Sequence, residues 1–188
     1  DNENSIRDAK SVCDKLGIEH YVLDLRKEFQ NFVIKDFIEE YKNGNTPNPC
    51  IVCNKYIKFG AMLDKAEALG FDKIATGHYA RVCFENNRYI LKKATDISKD
   101  QSYVLYNLTQ EKLSRVLFPL GNYTKSEIRE IAVENGFVNA DRPDSQDICF
   151  VPDGDYASFI QNNDNFVSPM GEYVDLNGSV LGKHKGII

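Results

Sequence analysis

The sequence predicts an α/β fold with a parallel sheet, followed by a helical segment and the start of a small β domain. Three observations carry that prediction. Helical apolar stripes alternate with short apolar runs from the N-terminus to Thr76. The last of these runs feeds straight into Gly77-His78, and α/β sheets place ligands beyond such strand ends. From Tyr79 the pattern changes to hairpin signals and short helices, and a further hairpin signal stands near the C-terminus at Tyr173–Leu181.

Residues 5–16 put Ile6, Ala9, Val12, Cys13 and Leu16 on one helical stripe, with Gly17 as its stop. His20 to Leu25 reads as a strand. A helix follows from about Glu28 to Lys42, offering Phe29, Phe32, Val33, Phe37 and Tyr41 for burial. Asn43 to Pro49 is a loop by its Asn, Gly and Pro content. Asn54 to Leu69 is helical, with Ile57, Phe59, Met62, Leu63, Ala66 and Leu69 spaced for packing and Gly70 as its end. Lys73 to Thr76 is the next strand. Tyr79–Phe84 and Arg88–Lys92 flank a turn and predict a hairpin. A short helix is expected around Gln101 to Leu108. Thr124 and Glu127 form a capping box before Ile128, Ile131, Ala132 and Val133, and Gly136 closes that helix. Tyr173–Leu176, Asn177-Gly178 and Ser179–Leu181 signal a second hairpin. Residues 1–150 are therefore expected to form the main domain, and 151–188 a linker helix and the opening of a β domain.

Composition narrows the function classes. Hydrophobic content is 42% and charged content 27%, ordinary for a soluble globular chain. No apolar stretch reaches membrane-spanning length, and Asp1-Asn2-Glu3-Asn4 has no secretory-signal character. With no initiator Met, the chain is expected to begin inside a longer protein. Five Cys without a disulfide-scaffold pattern point to a reducing, cytoplasmic compartment. A net charge of −5 argues mildly against nucleic acid, although Lys92, Lys93 and Lys99, and then Lys183, His184 and Lys185, form local basic groups. On composition alone these are solvated surface residues.

The cysteines carry the chemistry. Cys13 and Cys83 lie in predicted helix and strand and read as small core hydrophobes. Cys50 and Cys53 form a C-x-x-C, but zinc would need a second ligand pair that the sequence lacks, so no metal is expected. A thioredoxin-like dithiol would need a different βαβ context. Cys53 precedes Asn54-Lys55 at an expected helix start, where free N–H groups favour a thiolate. A reactive thiol and a buried structural cysteine are equally good readings of it. Cys149 lies between Ile148 and Phe150 with Asp144 and Asp147 nearby, and alone it reads as a core strand residue.

Taken together, the motifs resemble one family, the bacterial-type tRNA-specific 2-thiouridylases. The matching strings are Thr46-Pro47-Asn48-Pro49, Cys53-Asn54-Lys55, Ile57-Lys58-Phe59 and Ala75-Thr76-Gly77-His78-Tyr79. They continue through Lys99-Asp100-Gln101-Ser102-Tyr103, Leu117-Phe118-Pro119-Leu120-Gly121 and Asp144-Ser145 to Ile148-Cys149-Phe150. The resemblance implies a partial Rossmann-like sheet of the PP-loop ATP pyrophosphatase type. It also implies ATP-dependent conversion of the wobble uridine of tRNA to 2-thiouridine. ATP, with Mg as its counterion, would adenylate the C2 oxygen, and a persulfide on Cys149 would supply sulfur. Cys53 would be its partner thiol, through a transient Cys53–Cys149 disulfide. Asn48, Pro49 and Cys50 would line the target base, and Gly77 would touch ATP. His78, Lys99, Asp100 and Gln101 would contact tRNA. The implied partners are tRNA and a sulfur-relay protein or cysteine desulfurase, with no membrane.

Two departures qualify the resemblance. The family's Ser-Gly-Gly-x-Asp-Ser phosphate loop would belong ahead of Asp1, and its remaining β domains beyond Ile188, so the piece alone is expected to be inactive. Cys50 stands where the family often has Asp, which makes Cys50–Cys53 pairing a competing oxidised state. The alternative readings are another PP-loop ATP-dependent enzyme, or a non-catalytic dithiol or RNA-binding module.

Overall fold

A computed structural model describes residues 3–137, 140, 148–164 and 166–186. The chain forms two compact units, each built from two separate stretches: Asp1–Arg26 with Asn54–Asp144, and Lys27–Cys53 with Ser145–Ile188.

In the first unit, helix Glu3–Leu16 ends at Gly17, whose φ of +67° no side chain hinders. None of its residues is buried, so Cys13 is half-buried at a surface rather than a core residue. The expected strand at His20–Leu25 does not form. A strand needs a ladder partner, and no described segment pairs with it, so Tyr21, Val22 and Leu23 stay exposed. The parallel pairing predicted for the sheet is present between Ile74–Ala75 and Val116–Leu117. It is extended by Thr76 N donating to Leu117 O at 3.1 Å. The α/β class thus holds as a mixed fold, with one short parallel pair and two antiparallel hairpins among the described residues.

Asn54–Ala61 and Met62–Ala68 form the expected helix, kinked at Phe59 and Gly60. Ile57, Phe59 and Leu63 are buried, while Leu69 is exposed. The hairpin pairs Ala80–Glu85 with Arg88–Lys93, and Asn86 and Asn87 turn it at φ 50° and 59°, matching the twist of the strands. The expected helix at Gln101–Leu108 is reduced to a 3-10 turn, Ser102–Val104, because its amides close i to i+3 turns instead. Thr124 and Glu127 cap helix Lys125–Glu134 reciprocally, as the sequence predicts. Gly121 is a steric necessity: a Cβ there would lie 1.8 Å from Ala80 O.

The second unit is organised around one continuous helical run, Arg26–Phe29, Gln30–Ile34 and Lys35–Lys42, with a π-turn in the middle. It buries Val33, Ile34, Phe37 and Ile38, whereas Phe32 faces solvent. Ile160, from helix Tyr156–Asp164, completes the core with Ile34, Phe37 and Ile38. Phe150, Tyr156 and Phe159 surround Phe37 in edge-on contacts. Lys42 and Asp164 pair at 2.9 Å on the rim of this core. The terminal hairpin joins Gly171–Val174 to Val180–His184. Its loop is wider than a two-residue Asn-Gly turn, because the Asp175 carboxylate accepts from the amides of Asn177 and Ser179, both at 2.8 Å.

Candidate functional site

The carboxyl end of strand Ile74–Ala75 leads into Thr76, Gly77 and His78. Gly77 is exposed, and a Cβ there would meet only Leu120 Cδ1, at an ordinary 3.7 Å. Internal packing therefore does not require glycine here. A backbone left bare at a strand end fits the close approach of a nucleotide.

His78 is only 7% exposed, and its ring lies 5.9 Å from those of both Phe59 and Phe118. Burial pulls its imidazole down to about 4, with the Lys58 cation acting in the same direction. The ring is thus neutral at physiological pH, with Nδ1 in hydrogen-bond contact with the Thr76 hydroxyl at 2.8 Å. A neutral imidazole packed between two phenylalanine rings holds the strand end.

The Lys99-Asp100-Gln101 string divides by role. Lys99 is exposed. Asp100 accepts from Ala94 N and from the Ser102 hydroxyl, both at 2.7 Å. Gln101 clasps Tyr79 twice: Oε1 accepts from Tyr79 N at 3.0 Å, and its own amide donates to Tyr79 O at 2.8 Å. Gln101 thus fastens the loop to the segment that follows Gly77, while Asp100 ties it to Ala94 at the end of the hairpin and to Ser102.

In the second unit, the loop before the C-x-x-C supplies a helix cap. Asn48 Oδ1 accepts from Cys50 N at 3.1 Å, and Pro49, the first helical residue, is buried. The helix is Pro49–Cys53, so the expectation that Cys53 opens a helix is corrected. Pro49 needs no amide donor and starts the helix earlier, which puts exposed Cys50 in the first turn and half-buried Cys53 one turn further on, where the helical run continues into Asn54–Ala61. Cys53 therefore does not stand at a helix N-terminus, where free N–H groups would favour a thiolate.

Cys149 is also corrected from core strand to exposed turn. Val151 N donates to Ile148 O at 2.9 Å, closing a turn that sends Ile148 and Phe150 to the aromatic core and leaves Cys149 outside. Both cysteines belong to the same compact unit. Pro49–Cys53 packs on Gln30–Ile34 of the central helical run, and Phe150 packs on Phe29 and Phe37 of the same run. Asp144 to Asp147 lie outside the described residues.

Sequence reasoning assigned no role to Asn54, which is 1% exposed and donates through Nδ2 to Val104 O at 3.1 Å. Its Oδ1 is buried without a hydrogen-bond partner. The available signal was a lone amide inside an apolar helical run.

Comparison with known proteins gives a consistent picture. The chain is 53% identical over 184 residues to the tRNA-specific 2-thiouridylase MnmA of Carboxydothermus hydrogenoformans, covering 97% of this chain and 50% of that protein. It is 52% identical to the proteins of the same description from Clostridium acetobutylicum and Treponema denticola, over 98% of this chain and 52% and 51% of theirs. The chain thus spans about half the length of the curated relatives it matches. A family model described as "tRNA methyl transferase HUP domain" matches residues 1–153, a stretch running from the first helix through both cysteines, and the chain belongs to that family.

Proposed function

We propose that this chain carries the cysteine chemistry of an ATP-dependent tRNA 2-thiouridylase acting on the wobble uridine. The observation that carries the reading is the grouping of Cys53 and Cys149, far apart in sequence, in one compact unit and on one supporting helical run. The family match and the description of the relatives support the substrate class.

In this reading residues 1–150 are a partial Rossmann-like PP-loop catalytic domain, and 151–188 are a linker helix and the opening of a β domain. ATP, with Mg as its counterion, would approach the bare backbone of Gly77 and would pass its adenylyl group to the uridine C2 oxygen, with pyrophosphate as the leaving group. Asn48, Pro49 and Cys50 line the target base. The capped helix start makes this wall rigid, and a rigid wall lowers the cost of holding a base out of its stack. Lys99 faces tRNA, while His78, Asp100 and Gln101 hold the loops that present it. A sulfur-relay protein or cysteine desulfurase, in the cytoplasm, loads Cys149.

The sulfur step balances as follows. The outer sulfur of the Cys149 persulfide forms a bond to C2 as AMP leaves. The Cys53 thiolate then attacks Cys149 Sγ. A Cys53–Cys149 bond forms, the bond from Cys149 to the transferred sulfur breaks, and 2-thiouridine is released. A cellular dithiol reductant must return two electrons before the next turnover.

The test is disulfide mapping in the intact protein after one turnover. A Cys53–Cys149 disulfide, and loss of thiolation in Cys149→Ser, are expected. Wild-type thiolation by Cys149→Ser would overturn the reading.

A further inference from the structure

A cleft of about 610 Å³ opens between the hairpin Ala80–Lys93 and the run Val116–Phe118. This is an acidic chain, with a net charge of −5. The cleft nevertheless takes Lys73, Arg81 and Lys92 into its lining and, among the described residues, no carboxylate. Glu85 lies beside it and pairs with Lys92 at 2.5 Å, so Lys73 and Arg81 contribute most of the uncompensated charge. A cleft with cations on a low-dielectric wall concentrates positive potential.

The same lining holds an aromatic pair. Phe84 and Tyr89 face each other across the hairpin, with ring centroids 4.9 Å apart, and Phe84 is 58% exposed. The pair stands on a fixed frame. The Gln110 side chain donates to Tyr89 O and accepts from Tyr89 N, both at 2.8 Å. Arg81, also in the lining, is held through Nε, which donates to Lys93 O at 2.8 Å.

We propose that this cleft is a subsite for an unpaired nucleotide of the RNA substrate, with its base against Phe84 and Tyr89 and its phosphates on Lys73 and Arg81. Cations beside exposed rings are the combination that holds single-stranded nucleic acid, because every base has a face to stack and every linkage a charge to neutralise. The inference rests on the RNA reading given above, and it adds a contact that none of the matched motifs supplies.

The experiment measures binding of the intact protein to an unmodified tRNA transcript, an unstructured oligouridine and a fully paired RNA duplex, each across a salt series. Phe84→Ala should weaken binding of the transcript and the oligouridine by about tenfold and leave the duplex unchanged. Lys73→Gln combined with Arg81→Gln should lower the slope of log affinity against log salt by about 1.5. Lys73→Gln alone, an exposed change, should give half that effect with unaltered thermal unfolding. If the wild type binds tRNA and these variants bind equally well with the same slope, the cleft is not an RNA subsite. If Phe84→Ala weakens the duplex as much as the oligouridine, no unpaired base is stacked there. A wild type without affinity for tRNA would instead sink the RNA reading itself.

Discussion

The ring of Phe150 stands edge-on to that of Phe37, with centroids 5.2 Å apart and planes at 88°. Phe37 is 0% exposed, so the residue after Cys149 is anchored in the centre of the second unit while Cys149 stays outside. Phe150→Ala should cost about 2–4 kcal/mol by denaturant unfolding. It should also slow sulfur transfer, because the turn that holds Cys149 loses its anchor. Cys149→Ser, at an exposed site, should change stability by less than about 0.5 kcal/mol while abolishing transfer. If Phe150→Ala leaves stability untouched, the turn is not held in this way.

His78 predicts a pH dependence with a definite sign. Its folded-state value, about 4, lies below the ordinary 6.5. Between these values the unfolded chain binds the proton and the folded chain does not. Stability is therefore complete above about pH 6.5 and falls as the pH drops towards 4, by up to about 3 kcal/mol in all. His78→Gln should flatten this part of the stability curve. An NMR titration of the imidazole with a midpoint near 6.5 would refute the burial argument.

Two glycines should respond in opposite ways to the same change. Gly121→Ala drives a methyl group into Ala80 O and should cost more than about 3 kcal/mol. Gly77→Ala meets only Leu120 and should stay within about 0.5 kcal/mol of wild type, yet weaken nucleotide binding. Thermal unfolding and ATP-analogue titration of both variants separate the two effects. Equal destabilisation would remove the case for Gly77 as a point of approach.

Gln101 and Lys99 should also separate. Gln101→Ala loses the side-chain half of its clasp on Tyr79 and should cost about 1–2 kcal/mol. Lys99→Ala should leave stability alone and lower tRNA affinity with a shallower salt dependence. If both changes alter tRNA affinity and neither alters stability, then Gln101 contacts substrate directly.

What the sequence made legible follows its local signals. The capping box at Thr124 and Glu127 and the hairpin turn at Asn86-Asn87 are short-range chemistry, and both appear as predicted. His20–Leu25 failed because a strand is a non-local object and depends on what pairs with it. The start of the Cys53 helix failed because the loop signals of Asn48-Pro49 are also those of a cap followed by a first-turn proline. Cys149 looked buried because its neighbours are apolar, and alternate residues of a turn can point opposite ways. Burial of His78 was hidden for a different reason: Phe59 and Phe118 come from distant segments.

The interleaving of the two units has a consequence for synthesis on the ribosome. Phe37 is made early, but Ile160, which closes the core over it, is made more than a hundred residues later. Until then Ile34, Phe37 and Ile38 form a greasy face exposed to chaperones and to other nascent chains. A stop after residue 153, where the family match ends, would remove Ile160, Tyr156 and Phe159 and leave the part of that face they cover open. A shortened gene ending there should yield insoluble protein, whereas one that retains helix Tyr156–Asp164 should not.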